Sequence, residues 1–142
     1  MTARDEIAQH ASFRDPGGQL FRASGRIFRC VTPEAGTVLD QFLQTPLCTS
    51  LQQQGKLVAT WNPESLPESL GSLPLRVVEH QAIPFPSYPA EWCPEMLVAA
   101  GMLTLELCEV LRPSGWGLKD ATPLNVLFDG ANPVFVDLLS FE

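Results

Sequence analysis

Apolar and polar positions change period several times along this chain, and each change marks an element. Residues 1–12 show no periodicity and read as a flexible leader, frayed or locally helical. Asp15, Pro16, Gly17 and Gly18 form a turn signal. Residues 19–22 and 26–31 then alternate between two faces, so they read as a hairpin. Ala23, Ser24 and Gly25 would be a three-residue loop closed by a bulge. At Thr32-Pro33-Glu34 the signal switches to a helix start: a capping hydroxyl, a proline at the first position and an acid in the first turn. Val38, Leu39, Phe42 and Leu43 follow at helical spacing. Pro46 interrupts this stripe, and a second short helix over 47–54 ends at Gly55.

Residues 56–61 read as a strand, 62–74 as a loop or a short helix around 64–70, and 75–80 as another strand. Pro84, Pro86, Pro89 and Pro94 exclude a regular helix and leave an extended connector. Its aromatic residues Phe85, Tyr88 and Trp92 are expected to pack on the core. Residues 95–111 form the longest helix, apolar nearly all round, which predicts a central position. Asp129-Gly130 turns the chain between strands at 125–128 and 134–137. Grouped strands and helices give an α+β class: a small, mainly antiparallel sheet, a long central helix and a closing β-hairpin.

Composition adds bounds. The chain has 142 residues, 45% hydrophobic and 18% charged, enough for one packed domain over 13–142. The net charge of −7 argues against nucleic acid or an anionic membrane as partner. Cys30, Cys48, Cys93 and Cys108 form no C-x-x-C pair and read as reduced, mostly buried thiols. His10 and His80 have no ligand-like neighbours, so a zinc site is not expected. With no apolar leader, a cytoplasmic location is expected.

The candidate chemistry lies in the closing stretch. Asp120-x4-Asn125 and Asp137 flank the last hairpin, and a hairpin brings Asn125 and Asp137 to one end of two strands. Hard oxygen donors converging there suit a Mg²⁺–phosphate pair. This pattern resembles the catalytic loop and second metal aspartate of the protein-kinase-like fold, including aminoglycoside-phosphotransferase-like members. The resemblance implies a truncated kinase-like fold. It implies Asp120 as the proton acceptor if phosphotransferase activity is retained, and Asn125 and Asp137 as Mg²⁺ ligands. It also implies Lys119 and Arg29, with Asn125 and Asp137, as contacts to Mg-ATP. Gly117-Leu118-Lys119-Asp120 replaces His-Arg-Asp, Asp137-Leu138-Leu139 replaces Asp-Phe-Gly, and no G-x-G-x-x-G or Val-Ala-Ile-Lys motif is present. Arg29 is the basic residue where the lysine strand would be, with Glu34 or Asp40 as its helix partner.

A second resemblance covers the chain from about Phe13 to the end. Phe13-Arg14-Asp15-Pro16-Gly17-Gly18, Gly25-Arg26-Ile27-Phe28-Arg29 and Gly55-Lys56-Leu57-Val58 resemble the N-terminal region of bacterial SAM-dependent methyltransferases, some described as nodulation-protein-like. So do Ser87-Tyr88-Pro89-Ala90-Glu91-Trp92 and Asp137-Leu138-Leu139-Ser140-Phe141-Glu142. This implies an accessory domain that presents substrate to, or docks with, a methyltransferase domain in cis. SAM would bind in that downstream domain, and the small-molecule substrate is unnamed. Glu79 and His80 end a strand and are a weaker acid–base pair. Phe141 and the apolar helix, if exposed, would favour a homodimer.

Overall fold

A computed structural model describes residues 8–10, 17–71 and 75–142. Most of the leader, and residues 13–16 of the first turn and first matching motif, lie outside the described residues. Residues 13–142, read above as one domain, group into two compact units. Unit 1 holds the described parts of 1–37 and 60–82; unit 2 holds 38–59 and 83–142.

Unit 1 is a five-stranded antiparallel sheet in the order β1-β2-β3-β5-β4. Its strands are β1 (Ala8–His10), β2 (Gly18–Ala23), β3 (Arg26–Val31), β4 (Thr60–Trp61) and β5 (Arg76–His80). Part of the expected leader is therefore an edge strand, paired with β2 from Ala8↔Arg22 to His10↔Leu20. The β2–β3 hairpin is tighter than expected, because Ala23 pairs with Arg26 and only Ser24 and Gly25 form the loop. Both have positive φ, +50° and +76°, as a type I′ turn requires. Alternation along the strands then sorts the side chains. Phe28, Cys30 and Val77 share one face with Ala23, and Leu70 of the short helix α3 (Glu68–Gly71) completes this core, with Phe21 packed against it. Ile27, Arg29, Val78, His80 and Thr60 fall on the opposite face by register.

Helix α1 (Pro33–Leu43) starts as the capping signal predicts, with the Ala35 amide donating to Thr32 Oγ1 at 3.4 Å. In unit 2, α2 (Pro46–Gln53) is capped by Thr45, whose Oγ1 accepts from the Cys48 amide at 3.1 Å. Gly55 (φ +69°) follows its end, the left-handed position that favours glycine. The expected strand at 56–61 divides. Thr60 and Trp61 join the sheet of unit 1, whereas Leu57 bridges in parallel to Phe135 in unit 2. The Phe135 amide donates to Lys56 O and the Val58 amide to Phe135 O, both at 2.9 Å.

Strands β6 (Val126–Asp129) and β7 (Asn132–Phe135) form the expected closing hairpin, turning at Gly130 with φ +61°. Helix α4 (Pro94–Leu111) lies against β7. It is not buried all round. Ala100, Leu103, Leu107 and Leu111 are buried, while Leu97, Val98, Met102, Leu105 and Val110 are exposed. Phe141, expected at the surface, is fully buried and stacks on Phe42 with ring centroids 4.1 Å apart. Phe135 and Trp116 edge onto this pair at 5.7 Å and 5.0 Å from Phe141 and Phe42 respectively.

The proline-rich connector only partly packs inward. Ile83 is buried, and Trp92 sits edge-on to Phe128 at 5.0 Å. Tyr88 is half exposed, and Phe85 is 96% exposed on a left-handed backbone (φ +50°). Two thiols are buried as expected, Cys30 and Cys48, while Cys93 and Cys108 are exposed. Burial raises both buried thiols above the usual range, Cys48 to about 11, which keeps them protonated.

Candidate functional site

The closing stretch builds its polar site from two hydrogen-bonded turns. A 3-10 turn, Pro123–Asn125, delivers Asn125 to the start of β6. Asp137 follows the end of β7 and caps a second 3-10 turn, Leu138–Ser140. The hairpin aligns these ends, and the Val136 amide donates to Asn125 O at 2.8 Å. This places Asn125 and Asp137 together, as the sequence spacing predicts.

Ser140 joins them. It is completely buried, and its Oγ donates to Asp137 Oδ2 at 2.7 Å. The same Oγ accepts from Asn125 Nδ2 at 3.2 Å. Asn125 Nδ2 also donates to the backbone carbonyl of Asp120 at 2.7 Å. Asp137 Oδ1 accepts from the Leu139 amide at 3.3 Å. The Lys119 amide donates to Ser140 O at 2.8 Å, and Gly117 exchanges two backbone bonds with Glu142. Asp120 enters this network through its carbonyl, and its residue is exposed; Lys119 is likewise exposed. Both carboxylate oxygens of Asp137 therefore hold protein donors.

Asp137 and Asn125 Oδ1 are the hard donors here that could hold a Mg²⁺ ion, with water filling the remaining positions. No group of three or more His, Cys, Asp or Glu with metal-binding geometry occurs among the described residues. Sequence reasoning missed Ser140. Its position three residues after Asp137, the spacing of a capped turn, was the available signal.

Arg29 lies in unit 1, on β3 opposite Val78, and is 4% exposed. On the same face His80 is also buried, and its Nδ1 lies 2.7 Å from Thr60 Oγ1. Burial, reinforced by the positive charge of Arg29, pushes His80 down to about 3, so the ring is neutral near pH 7. Its Nε2 has no hydrogen-bond partner among the described residues. Glu79 points to the other face. Arg26 grips it through Nε and Nη2 at 2.7 Å and 2.6 Å, and Trp61 Nε1 donates to it at 3.2 Å. The Arg26 bond holds the Glu79 carboxyl below its usual range. Glu79 and His80 therefore serve separate faces and do not form an acid–base pair.

This chain matches no family model. It is 35% identical over 132 residues to nodulation protein NoeA of Rhizobium meliloti (strain 1021). The chain is similar to a nodulation protein. The match covers 92% of this chain and 27% of NoeA, so the chain spans about a quarter of the length of that curated relative. No helix among the described residues is long and apolar enough to cross a membrane.

Proposed function

We propose that this chain is an accessory domain of a longer NoeA-type protein that acts as a cytoplasmic SAM-dependent methyltransferase. In this reading it presents a small-molecule substrate to, or docks with, a methyltransferase domain elsewhere in that protein. The coverage of the match carries the reading: nearly all of this chain corresponds to about a quarter of NoeA. A module that size serves a larger whole, and inter-domain docking is its simplest physical role. The test uses the full-length relative and a variant lacking the corresponding region. SAM binding by calorimetry should survive the deletion, while transfer of labelled methyl groups into a cell extract falls at least tenfold. Undiminished transfer, or SAM binding by the 142-residue chain itself, would sink the reading.

The fold is proposed to be kinase-like, with Asp120, Asn125 and Asp137 as its remaining signature and no phosphotransferase activity. The observation favouring inactivity is that the G-x-G-x-x-G and Val-Ala-Ile-Lys motifs are absent, because phosphoryl transfer relies on several such parts together. Titration of the chain with Mg-ATP is expected to give no heat. Heat that disappears in Asp137→Ala and Asn125→Ala would establish a nucleotide site there and favour a small-molecule phosphotransferase.

A further inference from the structure

The outward face of α4 carries a regular seam. Glu95, Val98, Met102, Leu105, Glu109 and Arg112 follow one another at alternating steps of three and four residues, and all six are exposed. Val98, Met102 and Leu105 form an apolar centre on this row, flanked by the charged Glu95, Glu109 and Arg112. The seam opposes the buried row of Ala100, Leu103, Leu107 and Leu111, so it points away from unit 2. Its centre is strongly apolar: Val98 is 64% exposed, and Met102 and Leu105 are 61% exposed each. Leu97 and Val110 widen the patch. A side chain built at Gly101 would meet nothing within 4 Å, leaving room beside the seam for a close helix approach.

The charges give the seam a direction. Glu95 stands at its N-terminal end and Arg112 at its C-terminal end, with Met102 and Leu105 astride the midpoint. A second copy laid antiparallel about that midpoint puts Met102 against Leu105, Val98 against Glu109, and Glu95 against Arg112, each twice. A parallel copy would oppose Glu95 to Glu95 and Glu109 to Glu109 in a chain already carrying −7. Of the two arrangements only the antiparallel one pairs opposite charges at both ends, although it sets Glu109 against Val98, and it has the two-fold symmetry of a closed dimer.

We infer that α4 is the interface of an antiparallel homodimer of this chain, centred between Met102 and Leu105 and closed at each end by a Glu95–Arg112 pair. One helix face is small for a stable dimer, so the dissociation constant should be on the order of 10 μM. Sedimentation velocity of the 142-residue chain across a concentration series measures it. Met102→Glu and Leu105→Glu place like charges in the centre and should each weaken association at least tenfold, with unchanged circular dichroism because both sites are solvent-exposed. Glu95→Arg and Arg112→Glu should each weaken it by about threefold to tenfold, and the two together should restore it. A chain that stays monomeric up to about 500 μM overturns the inference and leaves the face to the remainder of a NoeA-type protein. Dimers indifferent to Met102→Glu and Leu105→Glu overturn it in favour of another surface. Failure of the double charge reversal to restore binding overturns the antiparallel arrangement.

Discussion

Ser140 holds three partners at once: the Asp137 carboxylate, the Asn125 amide and, through its carbonyl, the Lys119 backbone. Ser140→Ala removes the hydroxyl and leaves an amide and a carboxylate without their buried partner. We expect a loss of about 1 kcal/mol in urea unfolding, because Asn125 and Asp137 are half-buried and each keeps another hydrogen bond. A loss below about 0.3 kcal/mol would show that water replaces the hydroxyl at no cost. His80 gives a second prediction. Its folded pKa, about 3, lies below the ordinary 6.5, so the unfolded chain binds a proton that the folded chain refuses. Its stabilising effect is complete above pH 6.5 and drains away as pH falls towards 3. Glu79, also held below its usual range, loses its contribution in the same direction at lower pH. His80→Gln should flatten the fall in stability between pH 6.5 and 5; an unchanged slope would assign it to other groups. Asp120, Asn125 and Asp137 were legible as polar residues at strand edges. Ser140 was not, because hydroxyls occur everywhere and only folding brings this one under Asn125.

At the level of elements, local signals worked where a terminus or turn is a local event. Thr32-Pro33-Glu34 starts α1, and Gly55 stops α2 as read. The signals failed where burial decides. Residues 56–61 have strand character throughout, yet Leu57 bridges to Phe135 while Thr60 and Trp61 pair with β5. Apolar residues surround α4, but only the row facing β7 is buried. The closing turn depends on aromatic packing. Phe42 of α1 is fully buried between Phe141 and Trp116. Phe42→Ala should therefore cost about 3–5 kcal/mol, read as a shift of the thermal or urea midpoint. A cost under about 1 kcal/mol would mean that the cluster closes over the gap.

For the whole molecule, the α+β class, the antiparallel pairing and the closing hairpin all follow from periodicity and turn residues, which are short-range properties of the chain. The resemblance to nodulation-protein-like sequences was also read there, on runs such as Gly25-Arg26-Ile27-Phe28-Arg29 and the Asp137–Glu142 ending. The sequence by itself thus determined most of the elements, their order and the similarity to a nodulation protein. Tertiary structure alone decided which apolar residues are interior, since Leu103 and Leu105 look alike in the chain and differ only in what faces them. It also decided that Glu79 and His80 diverge, because neighbours on a strand point to opposite faces. It joined Asn125 to Ser140 as well, because a hydrogen bond between residues 15 positions apart exists only once both turns are in place.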